Sequence, residues 1–179
     1  MSNYQQARAM KTILLCILLA APAIYTKEPA IPNELIDYPK FLQIAGDTEK
    51  IRALHRLTEE RFAELAGEPG TIVLDARSAD KYAMRHIKGS VSLPFTDFTV
   101  ESLAKVIPEK TTRVLIYCNN NFRGDAVAFS GKLAGASLNI STYIALATYG
   151  YTNIYELGPL LDTRTTKLPF EGSTVPAAR

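Results

Sequence analysis

Residues 114 to 126 read VLIYCNNNFRGDA: an apolar run, then Cys118, three asparagines, Phe122, Arg123 and Gly124. A tight turn between a strand and a helix points successive backbone N–H groups inward and makes a cradle for an anion. A helix starting near Gly124 would add its positive end. A thiol in that cradle is favoured as the thiolate, which is the nucleophile. Asn119, Asn120 and Asn121 suit such a loop, because asparagine tolerates left-handed backbone angles and bonds locally. Arg123 offers paired donors for an oxyanion, and Gly124 lets the chain turn closely. The same residues also fit a plainer account, in which Cys118 ends a buried strand and the asparagines form a surface turn. The loop alone leaves both open.

The elements around it follow an alternating pattern. Thr58 caps a helix over TEERFAELAG, with Phe62, Leu65 and Ala66 at helical spacing and Gly67 as a stop. GTIVLDAR reads as a buried strand, SADKYAMRH as a short helix capped by Ser78 or Asp80, and HIKGSVSLP as an extended stretch closed by Pro94. TDFTVESLAKVIP reads as a helix and RVLIYC as a second buried strand. Helices are then expected over RGDAVAFSGKLAG and STYIALATYGY, and a last strand over NIYEL. Unalternating apolar strands interleaved with helices predict an α/β domain with a mainly parallel sheet. Ligands in such sheets sit at the carboxyl ends of strands, where Cys118 lies.

The N-terminus reads differently. Residues 11 to 23, KTILLCILLAAPA, place a lysine before an apolar run closed by Ala21-Pro22-Ala23, the pattern of a secretory signal peptide. Met10 offers a more compact start to the same signal. The run is short for a bilayer span, which needs roughly 20 apolar residues. The expected organisation is a signal peptide over 1–23, an N-terminal extension over 24–57 with a helical pattern from Asp47, a main domain over 58–162, and a tail over 163–179. Cleavage after Ala23 removes Arg8, Lys11 and Cys16, leaving 18 basic against 18 acidic residues and Cys118 as the sole cysteine. Exported proteins usually pair their cysteines, so a single thiol is either inert in the core or kept for its chemistry. A formal charge of +2 on the full chain is too weak to mark nucleic acid or an anionic membrane as partner.

LDARSADKYAMRHIKGSVSLP, residues 74 to 94, together with the C-x4-R loop, resembles the rhodanese (sulfurtransferase) family in a single-domain form. The resemblance runs over about residues 58 to 160, with NIYEL matching the family's last strand. The chain departs from the family pattern at Asn121 and Arg85, where glycines are common, and at Gly158-Pro159, where a double glycine is usual. It has no tryptophan, and the stretch from Gly135 to Tyr151 is long. The resemblance implies a rhodanese-like fold and a catalytic Cys118 that takes a sulfane sulfur as a persulfide. Loop amides from Asn119 through Phe122 to Gly124 would stabilise it, Arg123 would orient an anionic donor such as thiosulfate, and Asp75 and Arg77 would brace the loop. It implies a small sulfur donor, a thiol, protein or cyanide acceptor and no cofactor or metal, while the signal pattern at the N-terminus implies a periplasmic or secreted location. Two other readings compete. A non-catalytic sulfur carrier, thiol sensor or interaction domain would keep the same cysteine. A cysteine phosphatase would need one more residue in the loop, C-x5-R, to make room for phosphate. His86 reads as structural, and His55 with His86 has no metal-ligand spacing.

Overall fold

The computed structural model describes residues 31–176, and the expected signal peptide lies outside them. One compact unit begins at Leu35 and takes in the described residues that follow it. Helix α1 (Tyr38–Leu54) starts where the Asp37 carboxylate accepts the Lys40 amide at 2.8 Å, with Pro39 in its first turn. It begins nine residues before the helical pattern expected from Asp47. Strand β1 (Arg56–Leu57) follows, then α2 (Glu59–Ala66), capped by the Thr58 hydroxyl at 3.2 Å and ended at Gly67 as its sequence predicts. Next come β2 (Thr71–Asp75), α3 (Ala79–Met84), β3 (His86–Ile87) and β4 (Val91–Ser92). Thr99 and Ser102 form a reciprocal capping box for α4 (Val100–Val106), which buries Leu103. The remaining elements are β5 (Arg113–Tyr117), β6 (Phe122–Arg123), α5 (Leu138–Thr148), β7 (Ile154–Leu157), β8 (Leu161–Asp162) and β9 (Phe170–Glu171).

The central sheet has the order β1-β7-β5-β2-β4, and every pairing in it is parallel. Its strands are unalternating because both faces are covered. Leu115 and Tyr117 of β5 join Phe62, Phe122, Phe129 and Leu157 on one face. Val114 and Ile116 join Leu74, Leu103, Leu146 and Ile154 on the other, under α4 and α5. β1 extends the sheet from within the stretch read as an N-terminal extension, and α1 packs on α5. In the stretch read as a tail, β9 pairs antiparallel with β3. Among the described residues, no helix is long and apolar enough to cross a membrane.

One expected helix does not form. After Cys118 the chain makes a 3-10 turn (Asn119–Asn121) and β6, which pairs in parallel with β8. Residues 124–133 then run as turns and coil to a second 3-10 turn (Ala134–Ala136) before α5. Gly124 sits at φ +92°, a left-handed backbone that no helix accepts. The carbonyls that a helix here would use are taken by side chains instead. Arg77 holds the Ala128 carbonyl at 2.9 Å, Asn119 the Ser130 carbonyl and Asn120 the Lys132 carbonyl at 2.7 Å each. Phe129 is drawn into the core between Phe122 and Phe170.

Candidate active site

Cys118 leaves the carboxyl end of β5, the middle strand of the sheet, and is wholly buried. Its turn is organised by Asn121 rather than by glycine. The Asn121 carbonyl oxygen accepts the Cys118 amide at 2.9 Å and the Asn139 side-chain amide at 3.0 Å. Its own amide group donates to the Leu157 and Pro159 carbonyls at 2.7 and 3.3 Å. One buried carboxamide thus ties the loop to the ends of β7 and α5. The Asn121 backbone N–H points back, donating to the Cys118 side chain and, at 3.1 Å, to its carbonyl. Ser137 completes the surroundings of the thiol, its Oγ 3.5 Å from Sγ.

Asn119 and Asn120 hold a cover in place. Besides the two carbonyl bonds already described, Asn120 accepts the Lys132 amide at 3.0 Å. The exposed segment 130–136 is thereby pinned across the loop. Phe122 is a core residue. Arg123 is not brought onto the sulfur: its side chain is 69% exposed and lies 3.7 Å from the Asp162 carboxylate. Gly124 belongs to the same corner, where an added Cβ would come within 2.8 Å of an Asp162 oxygen. Asp162 is itself held well below the usual carboxylate range, chiefly by hydrogen bonds from the Arg164 guanidinium and amide.

Asp75 and Arg77 form a buried ion pair below the loop, with Nη2 2.6 Å from the carboxylate and Nε 2.9 and 3.1 Å from its two oxygens. Tyr117, next to Cys118 in sequence, donates its hydroxyl to the same carboxylate. Burial, and then the charge of Asp75, pushes the Tyr117 phenol far up, so it remains a donor. Burial disfavours the Arg77 charge, but the hydrogen bonds and charge of Asp75 outweigh it and raise the guanidinium. Arg77 also bonds the Ala128 and Arg85 carbonyls and lies 4.4 Å over the Phe129 ring, so the pair braces the segment beyond the loop. Arg85, in a position where the resembling family often has glycine, pairs with Asp125 at 3.2 Å. His86 is committed to the Tyr82 carbonyl and ring, and His55 to the Ile154 carbonyl and the Tyr155 ring.

Several residues at the site escaped the sequence reading. Ser137 and Asn139 carry a usable signal, since a serine just before an apolar helical run is an N-cap pattern. Arg52, Arg56 and Glu156 carry none. They meet across about a hundred residues, and Glu156, in an apolar strand, is buried under two guanidiniums.

Residues 58–158 match the family model described as Rhodanese-like domain, which is more than half of the chain. The thiosulfate sulfurtransferase PspE of Escherichia coli (strain K12) is 26% identical over 95 residues, covering 53% of this chain and 76% of that protein. Among solved structures, the BH2092 protein from Bacillus halodurans is similar at TM-score 0.49 and 18% identity, over 72% of this chain and 85% of its own. A rhodanese with anions from E. coli is similar at TM-score 0.39 and 20% identity, over 57% and 99%.

Proposed function

The chain belongs to the rhodanese-like domain family, and on that premise we propose that it is an exported sulfurtransferase working through a persulfide on Cys118. The observation that carries this reading is the placement of Cys118 at the end of the central strand, with the Asn121 amide donating to its side chain. The Cys118 thiolate attacks the outer, sulfane sulfur of thiosulfate. The S–S bond of the donor breaks, sulfite leaves with the electron pair, and a Cys–S–S⁻ persulfide forms. An acceptor thiolate or cyanide then attacks the terminal sulfur, and the Cys118 thiolate departs regenerated. In the second step the departing Cys118 sulfur regains the negative charge, so a preorganised N–H donor beside it lowers that barrier. The other loop residues, Asn119, Asn120, Phe122 and Gly124, shape that turn. Asp75 and Arg77 support it from beneath. Arg123 is the residue that the family resemblance assigns to the donor, and to serve it the guanidinium must turn away from Asp162.

Export rests on the signal pattern of residues 1–23, and the N-terminus of material from the cell envelope should begin at or near Ile24. For the chemistry, the mature protein is incubated with thiosulfate and its intact mass recorded. The expected result is a gain of one sulfur atom that Cys118→Ser abolishes, followed by sulfite release and turnover with a thiol or cyanide. If no sulfur is gained, or if Cys118→Ser gains it equally, the reading is wrong. The complete burial of Cys118 favours one second reading, a sulfur carrier or thiol sensor opened by a partner protein. It would show the mass gain without turnover to small acceptors.

A further inference from the structure

On the face of the sheet under α1 and α5, a cleft of about 270 Å³ is lined by residues that include Arg52, Arg56, Glu156, Asn120, Ser137 and Asn121. The last two are the residues that touch the Cys118 sulfur. The cleft therefore shares two of its lining residues with the immediate surroundings of the reacting atom, which is itself wholly buried.

Its charges do not cancel. Glu156 is 1% exposed and takes both carboxylate oxygens to Arg52 Nη2 at 2.8 and 2.9 Å, while Arg56 Nε lies 3.0 Å from one of them. Two guanidiniums thus face one carboxylate, and the other lining residues are neutral. The carboxylate positions the arginines, and Arg56, half exposed at 52%, is further fixed by the Gly158 carbonyl at 3.0 Å. One positive charge is left for a ligand, on a side chain already oriented. The amino end of α5 adds to it. Ser137 occupies the N-cap position, yet its hydroxyl makes no cap bond and faces the sulfur instead. No acidic residue lies in the first turn of α5, so nothing offsets the positive end of that helix.

We infer that this cleft is the subsite for an anionic sulfur donor, such as thiosulfate, with Arg56 holding the oxyanion and the Ser137 hydroxyl donating to the sulfur that receives the transferred atom. The inference rests on Cys118 being the sulfur-handling nucleophile, but it concerns charge recognition and can fail separately. The acidic end of the donor stays with Arg56 while its sulfane sulfur reaches Cys118 past Ser137. When the S–S bond breaks, sulfite is left on the arginine side and the persulfide on the serine side.

Two alkylating reagents of the same chemistry but different charge, iodoacetate and iodoacetamide, probe the path directly at Cys118. In the wild type, iodoacetate is expected to gain on iodoacetamide relative to their rate ratio for free cysteine. Arg56→Ala is expected to cut that preference roughly fivefold to tenfold, the effect of one charge-assisted hydrogen bond. Glu156 keeps its pairing with Arg52 in this variant, and the wild-type ratio needs no variant at all. Ser137→Ala should slow persulfide formation from thiosulfate while leaving the reagent preference in place. A wild-type ratio no higher than that of free cysteine overturns the subsite, as does a preference that survives Arg56→Ala or falls with Arg123→Ala. A preference present without sulfur uptake would overturn the sulfurtransferase reading and leave the anion cleft standing.

Discussion

Replacing Arg77 by methionine removes the guanidinium that neutralises Asp75 while keeping a long apolar side chain over Phe129. Three hydrogen bonds to the carboxylate are lost, at 2.6, 2.9 and 3.1 Å, along with those to the Ala128 and Arg85 carbonyls. Asp75 retains the Tyr117 hydroxyl and the backbone N–H of residue 77 at 3.0 Å. Both ion-pair partners are essentially inaccessible to water, so the carboxylate is left without a countercharge in the interior. Breaking a buried pair in this way costs about 3–5 kcal/mol. The orphaned Ala128 carbonyl adds about 1 kcal/mol. The remaining partners of Asp75 recover some of this, so a net loss of about 4 kcal/mol is expected for Arg77→Met. With a urea m-value of about 2 kcal/mol/M, the unfolding midpoint should drop by roughly 2 M. Equilibrium urea unfolding, followed by circular dichroism, measures it. Asp75→Asn in the Arg77→Met background should restore more than about 1 kcal/mol, because it removes the unpaired charge. A loss below about 1 kcal/mol for Arg77→Met, or no recovery in the double variant, would refute the assignment of a countercharge-dependent brace.

Asn120→Ala cuts both bonds to Lys132, and the cover over Cys118 should open more often. Iodoacetamide labelling of Cys118, read by intact mass, is expected to accelerate about fivefold with at most about 1 kcal/mol of stability lost; an unchanged rate would show that segment 130–136 does not gate the thiol. Asp162, held low in the folded state mainly by Arg164, stabilises the protein above the unfolded carboxylate range and loses that contribution as the pH falls. The stability gap between wild type and Asp162→Asn should therefore narrow below about pH 4, and a gap that stays constant into acid would contradict the Arg164 pairing.

How far the site could be read in advance differs from one residue to the next. The Thr58 cap and the Gly67 stop depend on contacts within one turn, and both appear where their sequence predicts them. The buried runs TIVLD and RVLIY became β2 and β5 because such short apolar segments are satisfied only with both faces covered. RGDAVAFSGKLAG fails for the opposite reason. Its local pattern suits a helix, but Arg77, Asn119 and Asn120 reach it from the neighbouring turns and take its carbonyls. The asparagine run was legible as a turn. That its first two members hold a cover and its last member ties three elements together was not, because each partner lies 11 to 38 residues away.

The sequence by itself determined the alternation of strands and helices and the end of a buried strand as the place of Cys118. These depend on periodicity, capping and composition, which act over a few residues. Only the tertiary structure decided what surrounds the thiol. It placed Arg123 against Asp162, turned the Ser137 hydroxyl to the sulfur, and gathered Arg52 and Arg56 around Glu156 at the mouth of a cleft. Charges and hydrogen-bond donors act through space, and their partners are chosen by packing between segments that share no local signal.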